Sequence, residues 1–134
     1  IIGEIMMRIA EKKGISGFVI DGSIRDVAAF AANTFPVYAR GVTHRGPYKD
    51  GPGEINVPVS VGGMLVHPGD IIVGDEDGLA VVPRELSHQI LQLAREHAAK
   101  EEVIFLTIKD GTVDRSWVDQ TLRQKGCDPG SGGN

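Results

Sequence analysis

Apolar positions change their spacing several times along this chain, and each change predicts a different element. Ile5, Met6, Ile9 and Ala10 recur at helical intervals, so residues 3–13 read as an amphipathic helix that stops at Gly14. Residues 17–21, Gly-Phe-Val-Ile-Asp, form a short continuous apolar run, which predicts a strand buried on both faces. Helical spacing returns over 24–32, where Val27, Ala28, Phe30 and Ala31 are available to pack, and Asn33 ends it. Residues 36–40, Pro-Val-Tyr-Ala-Arg, predict the next strand, so the order is that of a βαβ-like unit.

A long polar stretch follows over 41–53, rich in Gly and Pro and carrying Thr43, His44, Arg45, Tyr48, Lys49 and Asp50. Long loops inside compact domains are often functional. The pattern then turns to β. Strands are expected over 54–61, 64–66, 71–73 and 79–82, separated by Gly62-Gly63, Pro68-Gly69-Asp70 and Asp75-Glu-Asp-Gly78 as turns. Beyond Pro83 a long helix is predicted over 85–108, with Leu86, Ile90, Leu93, Ala94 and Ala98 on one face. A short helix over 116–125 and a disordered tail over 128–134 complete the reading, which treats 1–127 as a single domain.

Composition narrows the function classes. At 134 residues, 41% hydrophobic and 24% charged, the chain has the make-up of one ordinary globular domain. A net charge of −4 without a long Lys/Arg run gives no electrostatic footprint for nucleic acid or an acidic membrane surface. No apolar stretch has the length of a membrane span, and no signal-peptide pattern opens the chain. The single cysteine, Cys127, excludes an internal disulfide and a CxxC zinc site, and a reducing, cytoplasmic setting is expected. The chain opens at Ile1 rather than Met, and it is expected to be a processed product or the C-terminal part of something longer.

The most informative stretch is Asp21-Gly-Ser-Ile-Arg-Asp26. A buried strand runs out at Asp21, turns over Gly22, and presents Arg25 and Asp26 at the first turn of a helix. Ligand sites in α/β folds gather at the carboxyl ends of strands, where helix N–H groups point outward. There Asp26 offers a hard oxygen ligand suited to Mg²⁺ or Mn²⁺, and Arg25 offers a planar fork to a carboxylate or a developing enolate. The plainer alternative is that Asp26 stabilises the helix dipole while Arg25 makes a surface ion pair.

The ordered set of segments 17–26, 35–41, 46–60, 66–70 and 74–78 resembles the RraA-like family. That family includes the 4-hydroxy-4-methyl-2-oxoglutarate / 4-carboxy-4-hydroxy-2-oxoadipate aldolases. The resemblance runs from Gly3 to about Cys127. It implies an α/β fold of the swivelling β/β/α type lacking its N-terminal segment, with assembly as homotrimers or hexamers and active sites between subunits. It also implies divalent-metal-dependent retro-aldol cleavage of a 4-hydroxy-2-oxo acid to pyruvate, with oxaloacetate decarboxylation as a side activity. The family's Arg–Asp motif falls on Arg25, which would contact substrate and stabilise the enolate, and on Asp26, which would be the direct ligand to Mg²⁺. A second acid, from a neighbouring subunit's C-terminal helix, falls on Glu101, with Glu102 as the alternative. The family's Gly-rich loop, which supplies backbone N–H groups for the pyruvate carboxylate and a further acid, is expected to precede Ile1. The namesake regulator of ribonuclease E activity lacks the motif's Asp; its presence here favours an enzyme over a non-catalytic trimeric regulator.

Other chemistry-bearing residues fit weaker alternatives. His44 could accept a phosphoryl group, as in swivelling phosphohistidine carriers, but its surroundings do not match and packing explains it better. His67 precedes a Pro-Gly turn, and His88 and His97 lie too far apart along one helix to share a metal. Cys127 has no accompanying base. No lysine is placed for a Schiff base, which points away from class I aldolase chemistry.

Overall fold

The structure is a computed structural model that describes residues 2–127. The tail expected over 128–134 lies outside the described residues. The fold is mixed α/β, and its elements in chain order are α1 (Glu4–Lys12), β1 (Phe18–Ile24), α2 (Val27–Ala31), β2 (Val37–Val42), β3 (Val59–Val61), β4 (Met64–Val66), β5 (Ile71–Gly74), β6 (Leu79–Val82), a 3₁₀ turn (Arg84–Leu86), α3 (Ser87–Lys109) and α4 (Ser116–Gln124). The chain divides into two compact units, Ile1–Ser87 and His88–Asn134.

In the first unit, β1 and β2 pair in parallel, which requires a crossover; α2 supplies it. The core gathers here. Met7 and Ala10 of α1 pack with Ile24 of β1, Phe30 of α2 and Phe35, with Ile2, Phe18, Ile20 and Val37 against them. Phe18 and Phe35 meet edge to face with ring centroids 5.0 Å apart, a favoured quadrupole arrangement. The α1 helix ends as its sequence requires. Gly14 takes φ +75°, and the Gly14 and Ile15 amides donate to the carbonyls of Glu11 and Ala10, satisfying two terminal acceptors.

The β3–β4 and β5–β6 pairs are antiparallel hairpins, each a separate two-stranded sheet. Gly62 and Gly63 both have positive φ, as the tight turn predicted at that dipeptide requires. Val19 of β1 and apolar residues of both hairpins, among them Val61, Met64, Ile72 and Val81, line a cavity of about 310 Å³.

Three expectations need correction. β1 is not buried on both faces: its burial alternates over 18–21 and Val19 is 41% exposed, because among the described residues β2 is its one partner strand. The second helix does not begin at Ile24, which is the last residue of β1; it begins at Val27. The strand expected over 54–61 shrinks to Val59–Val61, since Asn56 adopts a left-handed φ of 57° and Pro58 lacks an amide donor. The long helix expected over 85–108 is present as α3, which has no buried residue.

The second unit comprises the body of α3 and α4. Both helices end on glycines with positive φ, Gly111 and Gly126. Each is followed by an amide that reaches back to a carbonyl of the last turn, from Thr112 to Thr107 and from Cys127 to Leu122. Asp114 accepts a hydrogen bond of 2.8 Å from the Ser116 amide at the start of α4, and that bond holds its carboxyl below the usual value of 3.8.

Candidate active site

The expected turn over Gly22 is corrected: β1 continues through Gly22 to Ile24, and Arg25 and Asp26 lie not in a helix's first turn but just before it, with Asp26 as the N-cap of α2. Between Ile20 and Ser23 the β1–β2 register shifts: Ile20 lies opposite Ala39 and Ser23 opposite Gly41, so Asp21 and Gly22 together face Arg40. Such a bulge bends the strand and re-aims the residues beyond it. Ile24 returns to register opposite Val42 and is also bridged in parallel by Ile2 on its other side. The Arg25 amide donates to the Ile2 carbonyl at 2.9 Å. Asp26 then takes φ 61°, ψ 40° and serves as the N-cap of α2. A left-handed conformation at a non-glycine residue is uncommon, and aspartate is one of the types that tolerate it.

That conformation delivers the carboxylate to the beginning of a different helix. The Glu4 amide, first in α1, donates to Asp26 Oδ2 at 3.0 Å. Gly3, the N-cap of α1, has no capping side chain of its own, so Asp26 supplies the acceptor from across the fold. Gly3 must be glycine for this approach: a Cβ there would lie 2.5 Å from Asp26 Oδ2 and 3.0 Å from Arg25 Nε. Arg25 Nε lies 3.7 Å from Asp26 Oδ2, close enough for attraction but not a closed fork. Both side chains remain accessible, at 40% for Arg25 and 44% for Asp26.

Gly3 and Glu4 are site residues that the sequence reading missed. The first turn of α1 stands against the Arg–Asp pair. The Ile5 and Met6 amides belong to that same turn, where no intrahelical carbonyl precedes them. The legible signal was a helix opening on Gly3-Glu4 without a Ser, Thr, Asp or Asn cap, a start that needs an acceptor from elsewhere. The Glu4 carboxylate accepts from the guanidinium of Arg8, one turn on, at 3.0 Å.

Glu101 lies on α3 in the second unit, where its carboxylate is 3.3 Å from His97 Nε2. Glu102 is next to it on the same helix and is exposed. Among the described residues, no group of three or more His, Cys, Asp and Glu side chains is arranged to hold a metal ion. One carboxylate at Asp26 would suit a cation that keeps most of its water. Mg²⁺ is such a cation. No described helix is long and apolar enough to cross a membrane.

An accessible Arg–Asp pair stands at a strand's carboxyl end and against a helix N-terminus in an α/β fold. Residues 1–81 match the RraA-like family model, described as Aldolase/RraA, and the chain belongs to that family. A protein of Halalkalibacterium halodurans provisionally named 4-hydroxy-4-methyl-2-oxoglutarate aldolase is 42% identical over 113 residues, 84% of this chain and 54% of its own length. A crystal structure of an uncharacterized Pseudomonas syringae protein superposes with a TM-score of 0.74 at 30% identity, covering 84% of this chain and 57% of that one. A Streptomyces coelicolor protein, described as an unusual member of the RNase ES inhibitor RraA family, superposes at 0.72 with 34% identity, over 78% of this chain and 54% of that one. The chain spans about half the length of the relatives it matches, 54% of the Halalkalibacterium protein.

Proposed function

We propose that this chain carries the enolate-stabilising corner of a divalent-metal-dependent pyruvate aldolase, a carbon–carbon lyase acting on 4-hydroxy-2-oxo acids. The observation that carries the reading is the convergence of Arg25, Asp26 and the first turn of α1 on one accessible point. The similarity to a protein provisionally named an aldolase supports it.

The residues divide the work by charge. The first-turn amides of Ile5 and Met6 face outward with the positive end of the helix dipole and would take the substrate's carboxylate. The Arg25 guanidinium would donate to the adjacent keto oxygen. Asp26 would hold Mg²⁺ or Mn²⁺, which supplies Lewis-acid polarisation of that oxygen when bound. In the forward cleavage the 4-hydroxyl loses its proton, the C3–C4 bond breaks, and its electron pair moves onto the C2 oxygen as enolate. Arg25 meets that charge where it develops, so its contribution is greatest in the transition state. Protonation at C3 then gives pyruvate. Loss of CO₂ from oxaloacetate reaches the same enolate, so decarboxylation accompanies the aldol activity. Glu101, from α3 of a neighbouring copy in a homotrimer or hexamer, would order the water that accepts the hydroxyl proton, with Glu102 as the alternative.

The test is Asp26→Asn in the full-length protein, assayed by coupled pyruvate detection with oxaloacetate and Mg²⁺. Asparagine tolerates the left-handed backbone and keeps an acceptor for the Glu4 amide, so the substitution removes the charge and little else. Turnover should fall by at least about a hundredfold, the scale of one lost transition-state stabilising group. Wild-type turnover in the variant, or full activity in excess EDTA, would sink the reading.

A second reading is a non-catalytic member of the family that acts through protein contacts, favoured by the likeness to the Streptomyces protein described with the RNase ES inhibitors. Absence of metal-dependent pyruvate release from the wild-type protein would select it.

A further inference from the structure

We infer that Asp21 is a positioning residue for the Arg25–Asp26 corner: one carboxylate that locks the bulge of β1 to two other elements and so fixes where the next five residues go. The inference rests on the proposed aldolase function. Asp21 occupies the bulge itself, the point at which β1 gains one residue over β2. Its Oδ1 is ion-paired with Nε of Arg40, the β2 residue opposite the bulge. Its Oδ2 accepts a hydrogen bond of 3.0 Å from the Gly62 amide, 41 residues away in the β3–β4 turn. In a tight hairpin that amide points out of the ladder, so Asp21 satisfies a donor the hairpin leaves over. Both carboxylate oxygens are thus engaged, on a side chain only 33% exposed.

The geometry downstream explains why this matters. A bulge adds a degree of freedom: without a clamp, the strand can shift its register and turn the next side chains to other directions. Asp26 sits in a left-handed conformation that surrounding contacts must maintain, and its carboxylate has to arrive within hydrogen-bond range of the Glu4 amide. Asp21 reaches neither Arg25 nor Asp26 in its described contacts, so its effect on chemistry is transmitted through the backbone.

The experiment compares Asp21→Ala and Asp21→Asn in the full-length protein, reading Mg²⁺-dependent pyruvate release and the NMR resonances of the Gly62 amide, the Asp26 amide and Arg25 Hε. In Asp21→Ala all three resonances should move. Its kcat should fall by about a hundredfold with KM changed less than about threefold, because misplacing a transition-state group by about an ångström costs that much without weakening ground-state binding. Asp21→Asn keeps an acceptor for Gly62 and loses the charge facing Arg40; it should recover about tenfold of that loss. Arg25 and Asp26 resonances unmoved in Asp21→Ala, or in Asp21→Asn should the alanine variant fail to fold, would overturn the inference whatever the activity. Conversely, moved resonances in a protein whose wild type releases no pyruvate would leave the clamp standing and remove only the aldolase reading.

Discussion

The corner built from α1, β1, α2 and β2 and the pair of β-hairpins after it draw on the same apolar residue types, yet they use them differently. Every buried hydrophobic residue among those described, Met7, Ala10, Ile24, Phe30 and Phe35, belongs to the corner. The hairpins bury none: Leu65 is 60% exposed and Val73 58%, on strands as rich in Val, Ile and Leu as β1. They are held to the corner by directional polar bonds, the Gly62 amide on Asp21 and the Tyr38 hydroxyl on the Asp75 carbonyl at 3.0 Å. The site stands on the corner. A constellation that must hold within a fraction of an ångström is better placed on packed elements than on hairpins of marginal independent stability.

The largest effect should come from hollowing the corner. Met7 is fully buried, and Met7→Ala should cost about 2–5 kcal/mol in a urea titration, by lost transfer energy and the cavity left behind. A truncation on a hairpin, where side chains are half exposed, removes less buried surface. A smaller and more local break is Gly3→Ala. The added methyl would meet Asp26 Oδ2 at 2.5 Å, so the carboxylate must leave the Glu4 amide, and turnover should drop by about a hundredfold. Thermal unfolding should move by no more than the ~1 kcal/mol of one hydrogen bond. Wild-type activity in Gly3→Ala would show that the α1 contact is irrelevant to chemistry. The smallest effect lies outside both regions, at the start of α4. The carboxyl of Asp114 titrates below 3.8 because its ionised form accepts the Ser116 amide, so its support is complete above 3.8 and is lost as pH falls through the lower folded value. Hydrogen-exchange protection of Ser116 should therefore hold from neutral pH down to about 3.8 and decline only below it.

How much of the molecule was legible depended on whether the governing contact was local. Gly14, Gly62-Gly63 and Gly78 punctuate the chain where positive φ is needed, and the elements between them follow from spacing alone. Arg25-Asp26 was legible as a charged pair after an apolar run. The backbone at Asp26 was not, since the left-handed turn depends on a bulge and on α1, elements that spacing within 24–32 does not encode. The same holds for Gly3, whose constraint comes from residues more than twenty positions away. Glu54 to Val57 showed alternation but not strand, because periodicity cannot see the turn at Asn56.

The left-handed N-cap at residue 26 has an evolutionary corollary. Asparagine and glycine accept that conformation at least as readily as aspartate, and each is a single base change from an aspartate codon. Drift at this position can therefore erase a negative charge while leaving the main chain at ease. A scaffold with that property can lose or regain a charge at this corner without relearning how to fold.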